Sequence, residues 1–233
     1  MNSYEGKEFV KLRDRDSGAV IEDIVLVNCV FDNCSVSLTR SIELRSTIRN
    51  VRLTNCVSVN CGIGPAVFED VTLDGLETND LLIAWGPLFK HVILKGKIGK
   101  VKINLTANFW DPRSEMQRPF DLARSKFYEK VDWALDIADA QFAEFEMSGV
   151  PAKLVRRDPA TQIKVTRERA LRSDWRERLS PTNTYWPMVI DLFLQDGQPD
   201  VVLVAPKRKP KRIFKSLLEG LDELRRLEVA EPD

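Results

Sequence analysis

The chain has 233 residues, and 35 Lys and Arg side chains balance 35 Asp and Glu side chains, so the formal net charge is +0. A balanced charge gives no overall field that would attract nucleic acid or an anionic membrane, and this length suits one large domain or two modest ones. The start MNSYEGKEF is polar, and no stretch approaches the roughly 20 apolar residues of a membrane span. We therefore expect no secretory signal, no membrane contact and a cytoplasmic protein.

A five-residue pattern runs from Ala19 to about Gly96 and groups into four blocks that begin at residues 19, 46, 66 and 87. The longer first spacing fits an outward loop at 39–45. The first and third positions of most units are apolar, which is the alternation of a short strand. The fifth position favours a turn at ten of eleven places, the exception being histidine: Asp23, Asn28, Asn33, Asn50, Asn55, Asn60, Asp70, Gly75, Asp80, His91 and Gly96. A strand followed by a corner, four times in each block, predicts a four-sided β-solenoid.

This region resembles the pentapeptide-repeat family, in which a small residue stands two positions before a central Leu or Phe. The units that carry the resemblance are Ala19-x-Ile21, Ser46-x-Ile48, Ala66-x-Phe68 and Pro87-x-Phe89. The resemblance implies a right-handed quadrilateral parallel β-helix of four coils. The family usually places Asp or Asn between the two inward residues, whereas here the polar residue closes the unit. A less regular parallel β-helix is therefore the alternative.

The columns of the repeat make two further predictions. Glu22, Arg49, Glu69 and Lys90 occupy one position and would stack with alternating charge, each facing pair contributing about 0.2–1 kcal/mol. The four cysteines share their positions with leucines. Because those slots accept leucine, we interpret the cysteines as core thiols rather than as zinc ligands or disulfides. The two cysteine columns are Cys29, Cys56 and Leu76, and Cys34, Cys61 and Leu81.

From about Pro119 the five-residue pattern is absent. The sequence predicts a solenoid domain at 1–106, a linker at 107–119 and an α+β domain at 120–233. The elements expected in the second domain are a helix at 120–147, a hairpin of 152–158 and 162–166, a charged helix at 167–179, strands at 188–195 and 201–206, and a final amphipathic helix containing residues 213–227. Asp132, Asp136 and Asp139 would lie on one solvated face of the first helix.

One segment resembles the core of restriction-endonuclease-like nucleases, which carry an Asp, a hairpin and then Glu-x-Lys. Asp191 and Lys207 match this pattern, but Ala205 stands where the Glu is expected. In such nucleases two carboxylates hold Mg²⁺, and Glu144 is a candidate for the second one here. Mg²⁺ is expected only if this interpretation holds. A shorter echo of the motif begins at Asp158.

The basic run KRKPKR at 207–212 lies before the last helix. Its charged members could neutralise a few phosphates, although a solvated turn is the simpler interpretation. These candidate binding residues are Lys207, Arg208, Lys209, Lys211 and Arg212. The single histidine, His91, occupies a corner position, so we expect it to serve a turn and not catalysis.

The leading functional expectation is a non-enzymatic protein that binds another macromolecule, most readily a protein, in a bacterial defence or toxin-immunity setting. Solenoids offer rigid, extended surfaces suited to binding. The alternative is a metal-dependent nuclease, or an inactive relative of one, built on the C-terminal domain. The sequence indicates no other cofactor, and it leaves the oligomeric state open.

Overall fold

The computed structural model describes residues 1–107, 115–172 and 174–232. Within these residues, a 15-stranded sheet curls on itself like a half-barrel, and all of its strand pairings are parallel. A second, two-stranded antiparallel sheet and several helices follow it in the chain. The predicted parallel, solenoid-like β architecture is therefore confirmed at this level, with helices and mixed structure after it.

The first half of the chain is made of strands. They are β1 (Asn2–Glu5), β2 (Glu8–Val10), β3 (Arg13–Arg15), β4 (Val20–Val27), β5 (Val30–Asp32), β6 (Ser35–Leu38), β7 (Thr47–Val59), β8 (Gly62–Ile63), β9 (Val67–Thr78), β10 (Leu82–Trp85), β11 (Leu88–Lys90) and β12 (Val92–Asn104). The second half mixes the two kinds of element. It contains α1 (Arg118–Tyr128), β13 (Leu135–Asp136), β14 (Ala140–Met147), a 3₁₀ turn (Ala152–Leu154), β15 (Val155–Arg156), β16 (Gln162–Thr166), α2 (Arg167–Ala170), α3 (Trp175–Arg178), α4 (Tyr185–Gln195), β17 (Asp200–Val204) and α5 (Lys211–Arg226).

The parallel register reproduces the alignment of the repeats. Val20 pairs with Thr47, Thr47 with Val67, and Val67 with Leu88. Each pair joins the second residues of successive blocks, so the longer first spacing lies in the loop between β6 and β7, as expected. Equivalent inward side chains consequently stack, as Val51 does on Val71. The predicted alternating column also forms, and Arg49 donates to Glu22 at 2.5 Å.

The corner positions adopt the left-handed conformation that the sequence indicates. Ten of the eleven predicted corner residues have a positive φ, and the exception is Asp80 rather than His91, whose φ is 55°. The turn before β10 holds one extra residue, because Ile83 pairs with Gly62. Leu82, buried at 7% exposure, therefore follows Cys61 in its column, and the assignment of Leu81, at 38% exposure, is wrong.

The cysteines lie in the column interior as free thiols. Cys29 and Cys56 are 0% and 1% exposed, and their Sγ atoms donate to strand carbonyls at 3.4 Å for Val27 and 3.5 Å for Thr54. Burial is the main reason that the pKa of the Cys56 thiol is raised, so this thiol stays protonated. The core interpretation is confirmed for these side chains.

The parallel sheet extends beyond the predicted repeats at both ends. β1, β2 and β3 pair with β4, β5 and β6 ahead of residue 19. At the other end, β14 pairs with β12, and β13 pairs with β12 and β15. The predicted helix at 120–147 is therefore wrong beyond Tyr128. Part of the predicted linker, 108–114, lies outside the described residues.

The last third of the chain differs from its prediction in several elements. β16 pairs with β17 and not with residues 152–158, so the predicted hairpin is wrong. The charged helix at 167–179 is two short helices, α2 and α3. Residues 188–195, predicted as a strand, belong to helix α4. The strand at 201–206 and the final amphipathic helix are confirmed as β17 and α5.

Strand β17 joins the two hydrophobic cores of the molecule. Val202 and Val204 pack in the core of the large sheet. Leu203 and Ala205 pack instead with β16, α4 and α5 in a second core. Because successive strand residues point to opposite faces, a five-residue strand serves both cores at once. The helical region is thereby fixed against the sheet.

Candidate functional site

Asp191 lies on helix α4, where its carboxylate accepts from Arg176 Nη2 at 2.6 Å. The helix forms because Trp186, Ile190 and Phe193 recur at helical spacing and are all buried. Trp186 Nε1 also donates to the Leu217 carbonyl at 2.9 Å, which docks α4 on α5. Asp191 is thus held on the outer side of a helix, and the strand–turn–strand context of the nuclease motif is absent.

A groove of about 570 Å³ runs beside the outer side of α4. Its apolar lining includes Leu179, Met188 and Leu192, and the Arg176–Asp191 ion pair borders it. Met188 and Leu192 are 52% and 53% exposed, four residues apart on one helical face. A helix with buried residues on one side and exposed Met and Leu on the other has a free apolar face.

Lys207 pairs with Asp158 and not with Asp191. The Lys207 Nζ atom lies 2.9 Å from Asp158 Oδ2, and Thr161 Oγ1 donates to the same carboxylate at 2.9 Å. Burial alone would raise the pKa of Asp158, but these hydrogen bonds and that from the Ala160 amide outweigh burial and lower it. Asp158 therefore stays charged and fixes Lys207 beside the loop that precedes β16.

Glu144 lies on β14 and pairs with Lys209, with 2.7 Å between Oε1 and Nζ. The hydrogen bond from Lys209 is the main cause of the lowered pKa of Glu144. Asp191, Lys207 and Glu144 each have a different partner, and no contact among the three is found in the described part of the chain. The structure does not bring the nuclease candidates together.

Part of the basic run at 207–212 makes ion pairs and hydrogen bonds within the protein. Arg208 Nη1 lies 2.9 Å from Glu77 Oε2 and 3.0 Å from the Ile98 carbonyl, and the Arg208 amide donates to Phe142 at 3.0 Å. Through Arg208 and Lys209, this segment joins the region before α5 to strands β9, β12 and β14, whereas Lys207 is held by Asp158. Lys211 and Arg212 lie exposed in the first turn of α5.

His91 is the centre of a polar cluster that the sequence pattern reveals only in part. Its Nδ1 atom is 3.1 Å from Asp70 and its Nε2 atom 2.7 Å from Asp132. The ring stacks on Trp133 with 4.7 Å between centroids, and the Arg156 guanidinium lies 4.0 Å from the centroid of the Trp133 ring. The Asp132 hydrogen bond is the main cause of the raised pKa of His91. Because the sequence predicts Asp132 on a helix, its position in this column could not be foreseen.

In the described ranges, no group of three or more His, Cys, Asp or Glu side chains is arranged to hold a metal ion. No helix there is long and apolar enough to cross a membrane. Comparison of the chain with protein-family models and with curated proteins gives no match.

Proposed function

We propose that the protein binds another protein, and that helix α4 with the adjoining groove is its contact surface. The observation that carries the proposal is the free apolar face formed by Met188 and Leu192. Adjacent exposed apolar side chains rimmed by polar ones are typical of protein-binding surfaces. The partner that fits this chemistry is a segment with aliphatic or aromatic side chains at helical spacing and polar flanks.

The charge of the surface supports a protein partner over a nucleic acid. The groove has one guanidinium, from Arg176, and Asp191 already neutralises it. Lys207, Arg208 and Lys209 likewise have carboxylate partners, so the segment offers few free cations to a phosphate backbone. Lys211 and Arg212 would remain for a nucleic acid that reached this side of the molecule.

We also propose that the parallel sheet is a right-handed, four-sided β-helix of the pentapeptide-repeat kind. Corner residues with positive φ support it, since they recur every five positions from Asp23 to Asn33 and again from Asn50 to Asn60. A stacked solenoid is rigid because each repeat is held by its neighbours. In this proposal the sheet is the scaffold, and the groove beside α4 makes the contact.

Affinity capture from the native host tests the contact surface. The baits are the wild-type protein, the double variant Met188→Lys and Leu192→Lys, and the control Leu122→Lys, which alters an equally exposed leucine on α1. We expect one partner to be captured by the wild type and the control and lost with the double variant. With the purified partner, calorimetry should show a Kd raised at least about tenfold by the double variant, because charge replaces apolar contact.

Two results would contradict the proposal. One is capture of the same partner by all three baits, or capture of no partner by any of them. The other is cleavage of DNA or RNA that requires Mg²⁺ or Mn²⁺ and is abolished by Asp191→Ala, which would favour the nuclease alternative.

A further inference from the structure

A second cavity, of about 340 Å³, lies between the α2–α3 region and the segment that follows α5. It is separate from the apolar groove, although α3 borders both. Four arginines line it: Arg169, Arg172, Arg178 and Arg226. Its volume is in the range of small-molecule sites, which start at roughly 300 Å³.

Arg169 is held in place by the backbone. Its Nη1 atom donates to the Glu228 carbonyl at 2.7 Å and to the Ala230 carbonyl at 3.3 Å. A guanidinium has five N–H donors in a fixed plane, and only one nitrogen is used here. Arg169 also lines the cavity, and a side chain held in this way has already lost much of its freedom.

The other three arginines also have donors to spare. Arg172 pairs with Glu168 at 3.1 Å and Arg178 with Asp174 at 3.2 Å, each through one nitrogen of a side chain more than half exposed. Arg226, in the last turn of α5, has no ion pair among the described residues. Exposed i,i+4 ion pairs contribute little to stability and can rearrange around a stronger anion.

The charges do not cancel inside the cavity. Its lining carries four guanidinium groups against the carboxylates of Asp174 and Glu228, and Glu168 adds a third carboxylate from outside. A net positive charge remains in a concave site with Leu227 and Val229 in its lining. Phosphate suits such a site because its oxygens accept paired N–H donors from arginine.

We propose that this cavity binds a phosphate group carried by a small molecule. The inference is independent of the proposed protein contact. Inorganic phosphate and a phosphate monoester share the recognised chemistry, and the cavity has room beyond the phosphate for the remainder of an ester.

The test is calorimetry and thermal unfolding of the full-length protein at low ionic strength. The probes are inorganic phosphate, adenosine 5′-monophosphate, and adenosine as the ligand without phosphate, with sodium chloride at matched ionic strength. Arg226→Gln removes one cavity donor, and Lys215→Gln, which removes an exposed cation outside the cavity, is the matched control on the same helix. Because ligand binding raises Tm by mass action, both measurements report the same equilibrium.

We expect the phosphate-bearing probes to bind, and Arg226→Gln to raise Kd about tenfold, as loss of a charge-assisted hydrogen bond predicts. The Lys215→Gln protein should bind like the wild type. Tighter binding of the nucleotide would identify an ester as the ligand, and equal binding would identify free phosphate. The proposal is overturned if no phosphate probe binds, if adenosine binds as well as the nucleotide, or if Arg226→Gln and Lys215→Gln have equal effects. Arg169→Gln gives a second test: if this variant folds, it must also bind the phosphate-bearing probes more weakly than the wild type does.

Discussion

At the scale of single residues, the corners carry most of the information that the sequence holds about this fold. An L-residue in the left-handed region is strained unless it is glycine or has a short polar side chain such as Asn or Asp. The side chains at the corners also bond along the column, as Asn50 does when it donates to Asp23 at 2.5 Å. His91 occupies the same column and forms the equivalent contact to Asp70.

Asn28 allows the cost of backbone strain to be measured apart from side-chain packing, because it is exposed and has a φ of 52°. Asn28→Ala should lower the free energy of unfolding by about 1 kcal/mol, since alanine is strained in the left-handed region. Asn28→Gly is the control and should stay within a few tenths, because glycine tolerates positive φ. Urea denaturation of both variants measures the difference, and an alanine variant as stable as the glycine one would contradict the strain argument.

His91 gives the molecule a pH-dependent contact. The pKa is raised above 6.5 in the folded protein, so the protonated ring stabilises the fold. That contribution is complete below pH 6.5 and is lost as the pH rises through the folded pKa. Relative to His91→Asn, which keeps a residue suited to the corner, the wild type should lose Tm as the pH rises from 6.5 through the folded pKa of His91.

The chain contains one histidine, so its imidazole signal in an NMR titration is unambiguous. The midpoint should lie above 6.5 and move down in Asp132→Asn, because the Asp132 contact is the main cause of the shift. A midpoint that Asp132→Asn leaves unchanged would show that the hydrogen bond from Asp132 does not set the pKa of His91.

At the scale of elements, the sequence predicted the repeated strands but not the later strand β14, which pairs with the end of the repeat region. The corner residues and strands from 19 to 96 follow from local pattern alone. β14 pairs with β12 across an excursion of about 40 residues, and its buried Phe142, Phe145 and Met147 break strict alternation. Contacts that distant in the chain leave no local signature. For α4, the spacing of Trp186, Ile190 and Phe193 was a usable helical signal, but apolar and β-branched residues favoured a strand.

The candidate sites also differ in how far the sequence could predict them. Lys207 and Arg208 could be named as a basic run, but their carboxylate partners, Asp158 and Glu77, are distant in sequence. The cavity arginines belong to α2, α3, α5 and the turn between α2 and α3, so spacing could not reveal them.

The strands at the N-terminal edge should be the least stable part of the sheet. Among the described residues, β1, β2 and β3 each pair along one side only, and the four residues of β1 are all exposed. Edges with few buried contacts open locally at low free-energy cost. Hydrogen exchange should therefore be at least about tenfold faster in β1 than in β7, which lies between β4 and β9. Equal protection would contradict this order of stability.

At the scale of the whole molecule, β17 makes two cores into one structure. Truncation of Val204, which is 6% exposed, should destabilise both cores although the side chain packs in only one. We expect Val204→Ala to cost about 2 kcal/mol from lost apolar burial and the cavity left behind. Far-UV circular dichroism and tryptophan fluorescence should report the same shifted transition, as for a two-state protein.

Val10→Ala is the control, since Val10 is 46% exposed on the edge strand β2 and should change stability little. Separate transitions by the two probes, with only the circular dichroism one moved by Val204→Ala, would show that the cores unfold independently, because the buried Trp175 and Trp186 lie in the second core.

The shared strand also has a consequence for synthesis on the ribosome. A nascent chain that has reached β15 holds every strand of the large sheet, but it still lacks Val202 and Val204. Until those residues leave the exit tunnel, one side of the sheet core is uncovered and exposed to chaperones. The order of translation thus makes β17 the step that completes the sheet core, and a ribosome that pauses just before Asp200 prolongs the interval in which the nascent chain can aggregate.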